Sequence, residues 1–278
     1  MILIEGLESE TRHRLSTALR QRLPGWSYRS FPTVNRTMTD ADYLAVVADS
    51  HPFMILGPFH WTHWAAAGIA SGAYWCGGNP QRLLELALMG RGAIVMLLME
   101  DYAVKVRWAA QLDLMTATAE ERAAHRLLNL YGKRSRLPQC FMVDPRDLDN
   151  ERYLDSLTRN AVEAAERAAA LPPPTAGLGG PDAEFLVLGE ALSPHPPRVG
   201  PSGRPTPPEF PLSQGPTGET WWGCVDRWEL RWECAYLTNA SIFAGPEHFG
   251  EFVSQTFPYL ARVLCLGTVA AQFATDAR

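Results

Sequence analysis

The chain alternates short, continuous apolar runs with stretches whose apolar residues recur every three to four positions. Runs at Met1–Glu5, Pro52–Leu56, Ala93–Met99 and Cys140–Val143 predict strands. Helical periodicity predicts helices over Thr11–Arg22, Asp42–Asp49, Pro80–Met89, Ala119–Tyr131 and Glu151–Ala170. Strands that are apolar throughout are buried on both faces, and the helices between them serve as crossovers of a parallel sheet. Met1–Ile4 and Ala93–Met99 contain no proline and belong at its centre. The pattern then repeats on a smaller scale. Strands are expected at Glu184–Leu188, Ala235–Asn239 and Arg262–Leu266, with helices at Glu219–Cys234, Phe249–Leu260 and Thr268–Thr275. The fold class is α/β, a parallel-sheet domain followed by a smaller α/β domain.

Proline places the break between them. Thirteen of the 22 prolines fall between Pro172 and Pro216. Pro172-Pro173-Pro174 followed by glycines cannot continue the alanine-rich helix before it. The expected division is therefore 1–171, a Pro/Gly linker at 172–182, and 183–278. A second proline-rich stretch, Ser193–Pro216, reads as a long surface loop.

Composition excludes several classes. The longest clear apolar run, Ala93–Met99, stops at Glu100, far short of the ~20 residues that cross a bilayer, so no membrane is expected. The first residues carry no basic stretch of the secretory kind. A net charge of −5 argues against broad binding to a nucleic-acid backbone, although a local patch is compatible with it. Lysine occurs only at positions 105 and 133, which limits any chemistry that needs one. Five cysteines without a CxxC pair read as reduced thiols in a cytoplasmic setting. His60 and His63 lack a recognisable third metal ligand and read as packing or solvent-facing, so no metal is expected.

The loop after the first strand carries the most chemistry. The opening Ile2–Leu23, with its strand ending in Glu5-Gly6, resembles the start of a thymidylate kinase, a P-loop nucleoside monophosphate kinase. The likeness continues through Arg29-Ser30-Phe31-Pro32 with Arg36, through Phe53–Trp64, and through Leu130–Asp155. It covers residues 1 to 170. It implies a nucleotide-binding loop at Gly6, Thr11, Arg12 and His13, and an acceptor-nucleotide pocket at Arg29, Phe31, Pro32, Arg36, Phe59 and Trp64. Trp61, Tyr74 and Trp75 are further candidates for that pocket, or for the core.

A working phosphate loop needs a second glycine, a lysine for the β/γ-phosphates and a hydroxyl for Mg²⁺. Here those places hold Thr11, Arg12 and His13, while Glu8 and Glu10 bring negative charge to a helix start that should receive an anion. The family's Asp-Arg pair is replaced by Gly57-Pro58. Ser9 with Glu10 reads equally as a helix cap. The expectation is a degenerate kinase-like protein without phosphoryl transfer, and no catalytic residue is assigned. No cofactor is expected. The alternative is an active pyrimidine-nucleotide kinase that uses ATP and Mg²⁺.

Residues 183–278 resemble part of a uracil-DNA glycosylase. Phe185–Ala191 looks like the strand ending in Gly-Glu, Ala235–Ala240 like the strand ending in Thr-Asn, and Arg262–Ala271 like the Leu-Gly strand and its helix. The likeness implies base recognition by Gly189, Glu190 and Asn239. The family's later His-Pro-Ser-type segment is missing, so excision is not expected. Trp221, Trp228 and Trp232 share a helical spacing, with Trp222 beside them, and predict a docking face. Joined modules of this kind resemble bacteriophage proteins of pyrimidine or DNA-base metabolism, working in the host cytoplasm. A protein partner or homo-oligomer is expected, with a pyrimidine nucleotide as the candidate small ligand and nucleic acid left open.

Overall fold

The computed structural model describes residues 1–32, 38, 40–67, 79–98, 118, 121–125, 127, 140–170, 177–180, 182–191 and 215–277. They form two compact units. The first comprises Met1–Thr37, Ser50–Cys76 and Gly92–Ala168; the second comprises Met38–Asp49, Gly77–Arg91 and Ala169–Arg278.

The first unit is built on five parallel strands: β1 (Ile2–Glu5), β2 (Ser27–Ser30), β3 (Met54–Gly57), β4 (Ile94–Leu98) and β5 (Cys140–Val143). Their order is β2-β3-β1-β4-β5. The two most apolar strands, β1 and β4, are wholly buried and lie side by side, with Ile2 opposite Ile94 and Glu5 opposite Leu97. The edge strand β2, Ser-Tyr-Arg-Ser, is exposed throughout. Its polar sequence gives no apolar run, and the sequence pattern did not predict it as a strand.

Helix α1 (Ser9–Arg22) lays Leu15 and Leu19 on the core with Ile2, Ile4 and Ile94. In chain order α2 (Asp40–Asp49), α3 (His60–Ala67), α4 (Asn79–Gly90) and the 20-residue α5 (Glu151–Ala170) follow. Leu154, Leu157, Ala161 and Ala164 recur at helical spacing and fill the same cluster. The helix expected at Ala119–Tyr131 is described only in part, with residues 121–125 helical.

In the second unit α2 packs against α4. A smaller parallel sheet contains β6 (Phe185–Gly189), β7 (Ala235–Asn239) and β8 (Arg262–Cys265) in the order β7-β6-β8. Its helices are α6 (Gly215–Arg227), α7 (Pro246–Thr256) and α8 (Thr268–Asp276). Two sequence boundaries move. The helix expected at Glu219–Cys234 starts earlier and stops at Arg227, and Trp232–Cys234 forms a separate 3₁₀ turn. The helix expected at Phe249–Leu260 is Pro246–Thr256, with proline in its first turn, where the missing N–H costs nothing.

The shortened α6 breaks the tryptophan stripe. Trp221, Trp222 and Trp232 are buried, whereas Trp228 lies beyond the helix and is exposed. Arg82 of α4 packs its guanidinium over Trp222 and pairs with Asp226 of α6. The proline-rich Ser193–Pro216 and most of the Leu171–Asp182 linker lie outside the described residues. Among the described residues no helix is long and apolar enough to cross a membrane, and Cys140, Cys224, Cys234 and Cys265 carry free thiols.

Leu19 is fully buried while Gln21, on the same helix, faces solvent. Leu19→Ala is expected to destabilise the first unit by about 2–5 kcal/mol in urea denaturation, and Gln21→Ala by under about 0.5 kcal/mol.

Candidate functional site

Ligands of open parallel sheets bind outside the carboxyl ends of the strands. At that end β1 delivers Glu5, whose side chain is fully buried. Its carboxylate accepts hydrogen bonds from the backbone N–H groups of Phe59 (3.1 Å), Trp61 (3.0 Å) and Thr62 (2.9 Å). The Thr62 hydroxyl donates a further bond at 2.5 Å. Glu5 therefore sits as an internal anion on the N-terminus of α3, where unpaired N–H groups and the helix dipole favour negative charge. Burial pushes the Glu5 carboxyl above its ordinary value, and the four donors pull it back. His60, also fully buried, brings Nδ1 to 3.5 Å from the same carboxylate.

Thr62 links this anchor to the loop. Its hydroxyl oxygen accepts the N–H of Gly6 at 2.9 Å. Gly6 takes a φ of 152°, and a Cβ there would lie 3.0 Å from both Cβ and O of Leu98, so glycine is required. Glu8 is the N-cap of α1, and the Thr11 hydroxyl donates to its carboxylate at 2.8 Å. Ser9 is thus the first helical residue and not the cap. Arg12 turns inward, is buried, and donates from its guanidinium to the carbonyl of Gly6. Burial lowers its pKa while Glu5, Tyr28 and Glu8 oppose that change. The group stays charged, as arginine does in proteins.

Beside this loop opens a cleft of about 480 Å³. Ser9, Glu10, Arg12 and His13 of α1 line one side, and Tyr28, Ser30, Phe31 and Pro32 line another, with Ile4, Gly57 and Pro58 completing the lining. Phe31 packs on Phe59 (5.8 Å between ring centres) and edge-on to His63 (6.3 Å). Arg29 places its guanidinium 5.0 Å from the Phe31 ring centre. At Gly57, where the resemblance expects an aspartate, a Cβ would lie 2.9 Å from the carbonyl oxygen of Ile4. No side chain fits there without moving β3 off β1.

His60 and His63, both on α3, are buried, which excludes the solvent-facing alternative. His63 Nε2 lies 2.8 Å from the Pro32 carbonyl, which fixes the neutral ring as donor there. Burial pushes its pKa down to about 4, the Pro32 bond raises it, and Arg12 lowers it. Among the described residues no group of three His, Cys, Asp or Glu side chains could hold a metal.

The acceptor-pocket residues are thus brought together in part. Phe31 and Pro32 line the cleft, and Arg29 and Phe59 pack on Phe31. Trp64 is half-buried and is not in the lining, and Trp61 is in the core. Arg36, Tyr74 and Trp75 lie outside the described residues. Sequence reasoning missed Glu5, Thr62 and Tyr28. The available signal was a carboxylate ending an otherwise apolar strand.

In the second unit Gly189 and Asn239 are paired in register at the carboxyl ends of β6 and β7. The Asn239 side chain is 1% exposed, and among the described residues neither its Oδ1 nor its Nδ2 has a hydrogen-bond partner. Glu190 is exposed, and its carbonyl accepts the Ser241 N–H at 3.1 Å. Gly267, at φ 103°, begins α8.

No protein-family model matches the chain, and no curated protein matches it in sequence. Among solved structures it is similar to the YorR protein of Bacillus subtilis, determined in complex with phosphorylated GDP. The two are 13% identical, the match covers 60% of this chain and 96% of YorR, and the TM-score is 0.42.

Two outcomes follow from the geometry. Glu5→Gln replaces an acceptor oxygen with an NH₂ group facing N–H donors, and is expected to cost about 2–4 kcal/mol in thermal or urea unfolding. His63 binds fewer protons folded than unfolded between pH 6.5 and 4, so stability falls as pH drops through that window. The loss is expected to reach about 3 kcal/mol by pH 4 and to shrink in His63→Gln, measured by urea unfolding at each pH.

Proposed function

We propose that this chain is a nucleotide-kinase-like protein that does not transfer phosphate and serves as a binding, regulatory or assembly subunit. The setting we propose is pyrimidine-nucleotide or DNA-base modification metabolism of the phage type its sequence resembles. The observation that supports this most is the state of the Gly6–His13 loop. A phosphate loop works by leaving its backbone N–H groups open to the ligand. Here the Gly6 N–H is taken by Thr62, and Arg12 folds onto the Gly6 carbonyl. Gly57 leaves no room for a replacement carboxylate beside Ile4. Binding without transfer remains available, because the cleft beside the loop has an aromatic wall at Tyr28 and Phe31 and polar groups at Ser9, Ser30 and His13.

Calorimetric titration and an ADP-release assay with ATP, Mg²⁺ and dTMP test this reading. The expected result is no turnover above the protein-free rate, with any dTMP binding weakened at least tenfold by Phe31→Ala. Turnover of ATP by the unaltered chain would establish the alternative, an active kinase in which Arg12 stands for the lysine.

One observation favours a second reading, base recognition by the C-terminal unit. A buried amide with both atoms unmatched among the described residues is costly, and it sits at the carboxyl end of a parallel sheet, where ligands bind. Asparagine offers one donor and one acceptor, the complement of a pyrimidine edge. Uridine and thymidine titrations are expected to give binding that disappears in Asn239→Ala. Equal binding by the variant, or none by either protein, removes this reading.

A further inference from the structure

The arginines of α1 divide by what they meet. Arg14 pairs with Asp149, and Arg22 pairs with Glu151 and Asp155, so their charge is cancelled on the protein itself. Arg20 is exposed and has no carboxylate partner among the described residues. Its guanidinium lies over the ring of Tyr28, 5.4 Å from the ring centre. Arg29 of β2 is in the same condition. It is exposed, stands over Phe31, and pairs with no carboxylate among the described residues.

The two cations flank one strand. Successive residues of a strand point to opposite faces, so Tyr28 and Arg29 stand on opposite sides of β2. Arg20, seated on Tyr28, and Arg29 therefore approach the edge of the five-stranded sheet from its two faces. A guanidinium laid over a ring keeps its N–H edge free to meet an anion. Tyr28, 36% exposed, also lines the cleft beside the loop, whose neutral polar groups include Ser9, Ser30 and His13. The charged groups of that lining are Glu10 and Arg12, and Arg12 is held by the Gly6 carbonyl.

We infer that the β2 edge and its cleft bind single-stranded nucleic acid, one base entering the cleft against Tyr28 and the flanking phosphates meeting Arg20 and Arg29. This ligand class rests on the binding role proposed above and puts a polymer in place of a free nucleotide. Three features select it. The two cations lie on opposite faces of a strand, so one phosphate does not neutralise both, whereas successive phosphates of a polymer do. A base brings a π-face to Tyr28 and polar edges to the hydroxyls and imidazole, whereas an acidic peptide brings the charge without the face. The cleft, about 480 Å³, is of the size that holds small organic ligands; a carboxylate side chain would leave most of it empty. A duplex does not fit the same description, because its bases are stacked away from any cleft.

Two phosphate contacts set a modest strength. The net charge of −5 opposes a polyanion at long range, and these two guanidinium groups are the local exception. The logarithm of the binding constant is expected to fall against that of salt with a slope of about −1.4, or about sevenfold between 50 and 200 mM.

Fluorescence anisotropy of the full chain with a fluorescein-labelled oligothymidylate of about eight nucleotides tests this. Binding is expected in the micromolar range at about 50 mM salt, with the slope given above. Arg20→Gln and Arg29→Gln are each expected to weaken it at least fivefold and to flatten the slope by about 0.7, with unchanged circular dichroism. Tyr28→Ala is expected to weaken it at least tenfold. Unlabelled dTMP, which reaches the cleft alone, is expected to compete at least tenfold more weakly, with an affinity that Arg20→Gln leaves unchanged. The titrations contain no ATP, so the turnover that would overturn the non-transferring reading is a separate result. Competition by dTMP as strong as the oligonucleotide's overturns the polymer and leaves the nucleotide-binding reading standing. Absence of oligonucleotide binding to about 200 µM protein also overturns the inference. So does binding indifferent to both arginine variants, or equal competition by an oligoglutamate peptide, which would make the edge a site for acidic protein.

Discussion

The buried carboxylate of Glu5 is the contact on which the rest of the first unit's site depends. It stands at the end of the central strand and holds the N-terminus of α3 through three backbone N–H groups and the Thr62 hydroxyl. An unpaired buried carboxylate would be very costly, and so would the open N–H groups of a buried helix start. Each cancels the other's penalty. Thr62 then carries the constraint onward, because the same hydroxyl that donates to Glu5 accepts from Gly6. The path of the chain out of β1 is thus fixed by α3, fifty-six residues further on.

This arrangement decides what the loop can bind. An anion entering at Gly6 would find one N–H already bonded and Glu5 close behind it, with Glu8 at the N-cap position of the adjacent helix. Arg12 is held among these carboxylates by its bond to the Gly6 carbonyl. Its charge is therefore balanced inside the protein. Exchanging Arg12 for lysine would not by itself recreate a phosphate site, since the fork that reaches the carbonyl would be lost while both glutamates remained. Among the described residues, space for a ligand opens on the Tyr28–Phe31 side, which the loop walls but does not fill.

Much of the architecture was legible in the sequence because burial on both faces leaves a mark that needs no context. Met1–Ile4 and Ala93–Met99 are apolar without interruption, and β1 and β4 are the central pair. The polar edge strand β2 left no such mark, since an edge exposed to water can have almost any sequence. The end of α6 was misplaced for a different reason. Trp228 and Trp232 continue a helical spacing from Trp221, but the chain leaves the helix at Arg227 and Glu229 adopts a φ of 49°. Spacing alone could not reveal that turn. At the site, the loop substitutions were readable as losses, whereas the Glu5–Thr62–Gly6 chain was not. It joins residues distant in sequence, which no local pattern links.

The two units handle buried polarity in opposite ways. In the first, Glu5, Thr62, Gly6 and Arg12 saturate one another, leaving little to be gained from an external partner at the loop itself. In the second, the buried Asn239 has no hydrogen-bond partner for either amide atom among the described residues, a local violation of what makes a sequence fold uniquely. Such violations persist where something outside the unit supplies the missing contact. Asn239 offers a carbonyl oxygen and an NH₂ group, so a partner that completed it would present both a donor and an acceptor.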